Sequence, residues 1–293
     1  MKKSNKTASA VKPPLALRLL RFMYSTIGPL FPDYFGKLAY EQWFTTTRFK
    51  IPSYELPALN SATRETIKVN NQPVAVYIWQ DKISDPKATL LFVHGWTGRG
   101  TQIVNYIEKL NAIGYRVISF DGPAHGNSPG KQTSALEMTD TVLALNKQYG
   151  KFDAAITHSF GGMVLIYAMT LGLELDRCAL ICPPKDFQII LDNFQRILAL
   201  PDSVMQVMIR KSFATYGQIT RDAVDAVSNV KNLKCKSLLI HDEDDSEIPW
   251  QSSEQITQAW PGARFIKTRG LGHRRIIHDR EVISNIVKFF NDV

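Results

Sequence analysis

Only three of the 293 residues are cysteine, and Cys178, Cys182 and Cys235 show none of the paired spacings that hold a structural metal. A sparse, odd-numbered thiol set inside apolar runs excludes a disulfide framework and points to buried, reduced thiols in a cytoplasmic protein. No apolar run is long and uncharged enough for a transmembrane helix, and none is followed by a small-residue cleavage site of the secretory kind. Internal repeats and low-complexity tracts are missing as well. Gly98-Arg99-Gly100 lacks the third glycine of a dinucleotide loop and the lysine of a P-loop. The histidines show no H-x-x-x-H or H-x-H spacing. We therefore expect no metal and no cofactor.

Acidic side chains are scarce in one region. Residues 1–50 hold Asp33 and Glu41 against nine Lys/Arg, whereas residues 51–293 carry 26 Lys/Arg against 25 Asp/Glu. The basicity belongs to the N-terminal segment, and a nearly neutral body argues against a nucleic-acid groove. Residues 1–14 read as a disordered basic tail. From Leu15 to Ile27 the pattern turns helical, with Arg18, Arg21 and Ser25 as a narrow polar stripe among apolar residues. Such a helix either packs on the main body or lies on an anionic membrane surface, giving weak peripheral contact through residues 15–31. The expected division is a basic tail and amphipathic helix over 1–50 and one large domain over 51–293.

What the chain has in quantity is an apolar, alternating strand-and-helix pattern, at 44% hydrophobic residues. Glu65–Val69 and Val74–Gln80 read as a hairpin joined by Asn70-Asn71. Runs such as Leu90 to Val93 suit strands buried on both faces of a parallel sheet. Further strands are expected at 115–121, 152–157, 177–182 and 236–241, with helices between them. The rhythm breaks from about 184 to 234, where two or three helical patterns with scattered aromatics predict an insertion. Those aromatics form either its own small core or part of an apolar pocket.

Four segments carry chemistry. His158-Ser159-Phe160-Gly161-Gly162 stands between a strand pattern and a helix pattern, the context of a nucleophile elbow. Leu90 to Val93 runs into His94-Gly95-Trp96. Asp121-Gly122-Pro123-Ala124-His125-Gly126-Asn127-Ser128 follows the next strand. His241-Asp242-Glu243-Asp244-Asp245 leads to Ile248-Pro249, and Gly270-Leu271-Gly272-His273 closes the set. In this order the segments resemble those of the α/β-hydrolase superfamily over about Arg64 to Phe290.

The resemblance implies an α/β fold: a mostly parallel, twisted sheet with helices on both faces and a small helical cap at about 184–234. It implies Ser159 as nucleophile, His273 as base and Asp245 as the orienting acid, chosen over Asp242 and Asp244 by its register to His241 and Ile248-Pro249. The backbone N–H groups of Trp96 and Phe160 would form the oxyanion hole. Thr157 departs from the family's G-x-S-x-G pattern at its first glycine. Arg274 and Arg275, beside the base, read as a solvated surface pair. The expected activity is hydrolysis of a small carboxylic ester, short to medium in its acyl part, through an acyl-enzyme. Amidase or peptidase, thioesterase and acyltransferase chemistry on the same triad stay open, as does a non-catalytic binding protein on the same scaffold, since fold and triad name no substrate.

Overall fold

The computed structural model describes residues 14–80 and 86–292; the basic tail expected over 1–14 lies, except for Pro14, outside them. The described residues gather into two units, one of residues 14–43 with Asp192–Thr215, the other of residues 44–80, 86–191 and 216–292.

The larger unit is built on one eight-stranded sheet. Its strands are β1 (Thr63–Val69), β2 (Gln72–Trp79), β3 (Ala88–Val93), β4 (Tyr115–Phe120), β5 (Ala154–His158), β6 (Arg177–Ile181), β7 (Lys236–Asp242) and β8 (Arg264–Thr268). They lie in the order β1-β2-β4-β3-β5-β6-β7-β8. The β1/β2 and β2/β4 pairs are antiparallel and all others parallel. This is the α/β-hydrolase arrangement expected from the sequence.

The hairpin forms where expected because Asn70 and Asn71 both accept positive φ, 48° and 63°, as a tight two-residue turn demands. The central strands are apolar on both faces because both are covered. Leu91, Val93, Ala155 and Leu180 face one buried cluster, and Leu90, Phe92, Ile156 and Ile181 face the other. Burying a side chain of this size contributes about 1.5–3 kcal/mol, so the two clusters dominate the stability of this unit. The three thiols are buried and free, and burial raises the Cys178 and Cys182 pKa values well above the usual range.

Thirteen α-helices are described, numbered in chain order. Those that matter below are α1 (Leu15–Phe22), α2 (Pro32–Phe44), α4 (Val104–Ala112), α5 (Ala135–Tyr149), α6 (Phe160–Thr170), α7 (Phe187–Leu198), α8 (Asp202–Tyr216), α11 (Gln251–Ala259), α12 (Gly272–Arg275) and α13 (Arg280–Asn291). Ser134 starts α5 as an N-cap, its hydroxyl accepting the Glu137 N–H, and Gly150 ends it at φ 85°.

The smaller unit corrects two expectations. The boundary expected at residue 50 falls after Trp43, and the middle of the insertion expected at 184–234 gathers with the N-terminal segment. The cause is close helix packing within this unit. A Cβ on Gly36 of α2 would come within 2.4 Å of Val207 on α8, so only glycine permits that approach. Trp43 sets its ring edge-on to Phe194, centroids 5.0 Å apart. The Tyr24 hydroxyl donates to Gln42 Oε1 at 2.8 Å, and Tyr40 donates to Thr215 Oγ1 at 3.2 Å. The N-terminal helices pack on a helix of the insertion, an arrangement absent from the sequence reading. Part of the insertion's apolar set forms a small core here, with Val204, Met205 and Met208 buried.

Candidate active site

Ser159 stands between β5 and α6 at φ 54°, ψ −125°, a conformation that side-chain-bearing residues rarely adopt. Strain of this kind costs of order 1–3 kcal/mol and persists only where the surroundings enforce it. They do so from three sides. The Ser159 N–H donates to the Ile181 carbonyl at 2.8 Å, and the Ser159 carbonyl accepts from Gly162 N–H at 2.9 Å. A Cβ on Gly161 would lie 2.3 Å from the Val93 carbonyl oxygen, so the turn closes only because that side chain is missing. Thr157, where the family pattern has glycine, is fully buried, paired in β5 between Val93 and Leu180. Its hydroxyl has no hydrogen-bond partner among the described residues.

The three residues expected from the sequence converge. His273 Nε2 lies 2.9 Å from Ser159 Oγ, and His273 Nδ1 lies 2.6 Å from Asp245 Oδ2. His273 is buried and the Asp245 side chain fully so, while Ser159 keeps partial exposure. Asp245 is heavily occupied: Oδ1 accepts the Glu247 and Ile248 N–H groups at 2.8 and 2.9 Å, and His241 Nε2 approaches Oδ2 at 3.2 Å. Burial alone would raise its pKa, but the bonds from His241 and His273 outweigh this and hold the carboxyl far below the usual carboxylate range.

Asp242 does other work. Its Oδ1 accepts the Gly272 N–H at 2.8 Å and the Asp244 N–H at 3.1 Å, and its Oδ2 accepts the Thr268 hydroxyl at 2.7 Å. It anchors the loop that carries His273. Asparagine in its place keeps one acceptor oxygen, and the Thr268 hydroxyl can turn to accept from the new amide. At Asp245 all acceptor positions face donors, so an amide NH₂ must oppose one and the imidazole loses its charged partner. Asp245→Asn is therefore expected to lower turnover by about 10³–10⁴-fold, as loss of a triad carboxylate does. Asp242→Asn should lower it less than tenfold. Steady-state rates of the two variants check this, and a crippled Asp242→Asn beside an active Asp245→Asn would reverse the assignment.

Four histidines at strand ends have roles that the sequence left unassigned. His158 Nε2–H donates to the His273 carbonyl at 2.8 Å, placing the base from behind. His241 Nδ1 meets Ser253 Oγ of α11 at 2.7 Å, and its Nε2–H is shared between Asp245 and the Ile248 carbonyl. His94 Nε2 accepts the Gly122 N–H at 2.9 Å, with Nδ1–H on the Gly95 carbonyl. His125 Nε2 accepts the Thr97 N–H at 3.0 Å, with Nδ1–H on the Pro123 carbonyl. Burial lowers the pKa of His94 to about 4. It lowers His125 to about 3, helped by the neighbouring His94, and His158 to about 3, helped by the neighbouring His273. His94, His125 and His158 are neutral clamps between loops. The only sign of them in the sequence is their place at strand ends, which names no partner.

His94 and His125 act on the oxyanion side. Gly95 to Gly98 form a turn closed by the Gly98 N–H on the Gly95 carbonyl at 2.9 Å, with Thr97 at φ 58°. Trp96 sits in this turn with its ring edge-on to Phe160, centroids 5.2 Å apart. A Cβ on Gly95 would lie 3.0 Å from Ser159 Cβ, so the turn passes directly beside the nucleophile. Phe160 opens α6, and its N–H belongs to the first-turn donors that a helix leaves without an internal acceptor.

Among the described residues one group, Cys182, His241 and Asp245, converges closely enough to hold an ion. Its Asp245 oxygens are already engaged by four donors, which makes it a poor ligand set. Arg274 pairs with Glu247 at 2.8 Å on the surface, and Arg275 donates to the Leu271 and Gly270 carbonyls. A surface groove bordered by α4 and α13, lined by Asn105, Lys109, His278 and Arg280 among others, holds none of the triad.

Comparison with known proteins bears on the family and the fold. The sequence model described as "Alpha/beta hydrolase family" matches residues 90–284. Lysophosphatidylserine lipase ABHD12 of Macaca fascicularis is 26% identical over 203 residues, which cover 64% of this chain and 49% of that protein. The chain thus spans about half the length of the curated relatives it matches. Among solved structures, the Pyrococcus furiosus esterase Pf2001 is similar at a TM-score of 0.61 and 21% identity, covering 84% of this chain and 95% of that one. Est1E from Butyrivibrio proteoclasticus, solved with ferulic acid bound, is similar at a TM-score of 0.59 and 18% identity, covering 77% and 97%. At these identities the structural likeness concerns the fold.

Proposed function

The chain belongs to the alpha/beta hydrolase family, and we propose that it is a serine hydrolase that cleaves a carboxylic ester through an acyl-enzyme. The observation that carries this reading is the unbroken line Ser159 Oγ, His273 Nε2, His273 Nδ1, Asp245 Oδ2, at 2.9 and 2.6 Å. A serine hydroxyl is a poor nucleophile until a base in hydrogen-bond reach takes its proton.

Ser159 Oγ attacks the ester carbonyl carbon as its proton passes to His273 Nε2. The carbonyl π pair moves onto oxygen, and the Phe160 and Trp96 N–H groups receive that charge; one such donor is worth about 10²–10³-fold in rate. Asp245 stabilises the imidazolium and holds Nδ1 as the protonated nitrogen. The intermediate collapses, the C–O bond to the alcohol breaks, and the His273 proton goes to the departing oxygen. Water, deprotonated by His273, attacks the acyl carbon; collapse releases the acid and returns the proton to Ser159.

An ester, as opposed to an amide, is supported by the curated relative named as a lysophosphatidylserine lipase. A short-to-medium acyl part is supported by the size of the insertion, part of whose apolar set is used in packing within the smaller unit. Para-nitrophenyl esters of two to sixteen carbons, with the matching anilides and a triglyceride emulsion, test the reading. We expect the highest kcat/KM at eight carbons or fewer and slow anilide turnover. A preference for long-chain triglyceride would overturn the acyl-length assignment, and faster anilide cleavage the ester assignment.

A further inference from the structure

The smaller unit exposes apolar surface where a self-contained fold would hide it. Fifteen large hydrophobic side chains are exposed among the described residues, and eight of them fall between Leu15 and Tyr34. That is half of the set in twenty residues. Leu15, Leu19, Phe22 and Met23 share one side of the helical turn, at spacings of four and three, and are 41–67% exposed. The opposite side is the one used for packing, with Tyr24 fully buried and Leu17 and Leu20 half-buried. Leu30, Phe31 and Tyr34 follow at 59–72% exposure. A helix apolar on both sides, with one side spent internally, has a second surface still to cover.

Charge selects the occupant. In the sequence, residues 1–50 hold nine Lys/Arg against two Asp/Glu, most of the net charge of +8 in about a sixth of the chain. Two copies meeting through this face would bring like charge together, so a second copy is the poorer partner. A bilayer rich in anionic lipid supplies both an apolar interior and negative charge. No helix among the described residues is long and apolar enough to cross a membrane. The helical stretch Leu15–Ile27 is about 20 Å long, suited to lying in the interface. Tyr34 is of the aromatic type that settles at headgroup level, and Phe31 adds apolar surface beside it.

We propose that the Leu15–Tyr34 surface of the smaller unit seats the protein on the face of an anionic bilayer. The inference rests on exposure and charge and stands apart from the esterase reading. Full-length protein is spun with vesicles of phosphatidylcholine alone and with 30% phosphatidylglycerol, at low and high salt. We expect pelleting only with the anionic vesicles, falling at least tenfold in partition coefficient at high salt. Leu19→Ser with Phe22→Ser should weaken binding at least tenfold while hydrolysis of a soluble ester stays unchanged. If that pair lowers the melting temperature, Arg18→Glu with Lys37→Glu, both at exposed positions, should weaken binding to the same extent. Wild-type protein left in the supernatant with both vesicles would overturn the proposal. So would equal pelleting of all variants, or a concentration-dependent dimer that the serine pair abolishes in the absence of vesicle binding.

Discussion

Replacing Ser159 with alanine is expected to abolish covalent labelling by a fluorophosphonate and to lower ester turnover by roughly 10⁴-fold or more, with the fold intact. The loss is large because the serine and histidine act as one device: without Oγ, His273 has no proton to take and no acyl-enzyme forms. The fold should survive because alanine keeps the same Cβ in the same strained backbone, φ 54°. The bonds that hold that backbone run to Ile181 and Gly162 and involve no side chain. Only the 2.9 Å contact to His273 disappears. Intact-mass spectrometry of labelled wild type and variant, with melting curves of both, checks the expectation. An adduct on another residue, or a labelled alanine variant, would remove Ser159 from the mechanism.

Acid should destabilise the protein well above the range in which carboxylates titrate. His94, His125 and His158 are held neutral by burial, at about 4, 3 and 3, whereas an unfolded histidine takes a proton near 6.5. A folded pKa below the unfolded one means the unfolded chain binds more protons between the two values, so stability falls as pH falls through that window. With three such groups the slope approaches about 4 kcal/mol per pH unit between roughly pH 6 and 4, which consumes an ordinary stability of about 5–15 kcal/mol. Asp245, whose folded pKa is depressed, adds in the same sense once pH drops below about 4. Asp121 opposes it: burial raises its folded pKa, so its protonation favours the folded state. Urea denaturation at pH 7, 5.5 and 4.5 should show the midpoint falling steeply across this range. A midpoint constant from pH 7 to 4.5 would mean that the three histidines are charged in the folded state.

Much of this molecule was legible in the order of its residues. The hairpin at Asn70-Asn71, the central strands, the elbow at Ser159 and the insertion after β6 all follow from local features. These are alternation, apolar runs, turn residues with a preference for positive φ, and glycines where chains approach. The charge asymmetry is likewise a property of contiguous residues. Asp245 was implied by the resemblance of its loop to the hydrolase acid loop, and the geometry places it against His273.

Tertiary structure decided the rest. Why Asp242 is an anchor follows from its bonds to Gly272 and Thr268, thirty and twenty-six residues away. The support of His273 by His158 spans 115 positions, and the gathering of Tyr24, Gly36 and Trp43 with Asp192–Thr215 spans more than 150. Neither leaves a period or a motif, because a histidine that clamps a carbonyl and one that relays a proton are the same residue in sequence. What separates them is the group each ring nitrogen meets, and chain segments far apart in sequence supply that group only when they fold together.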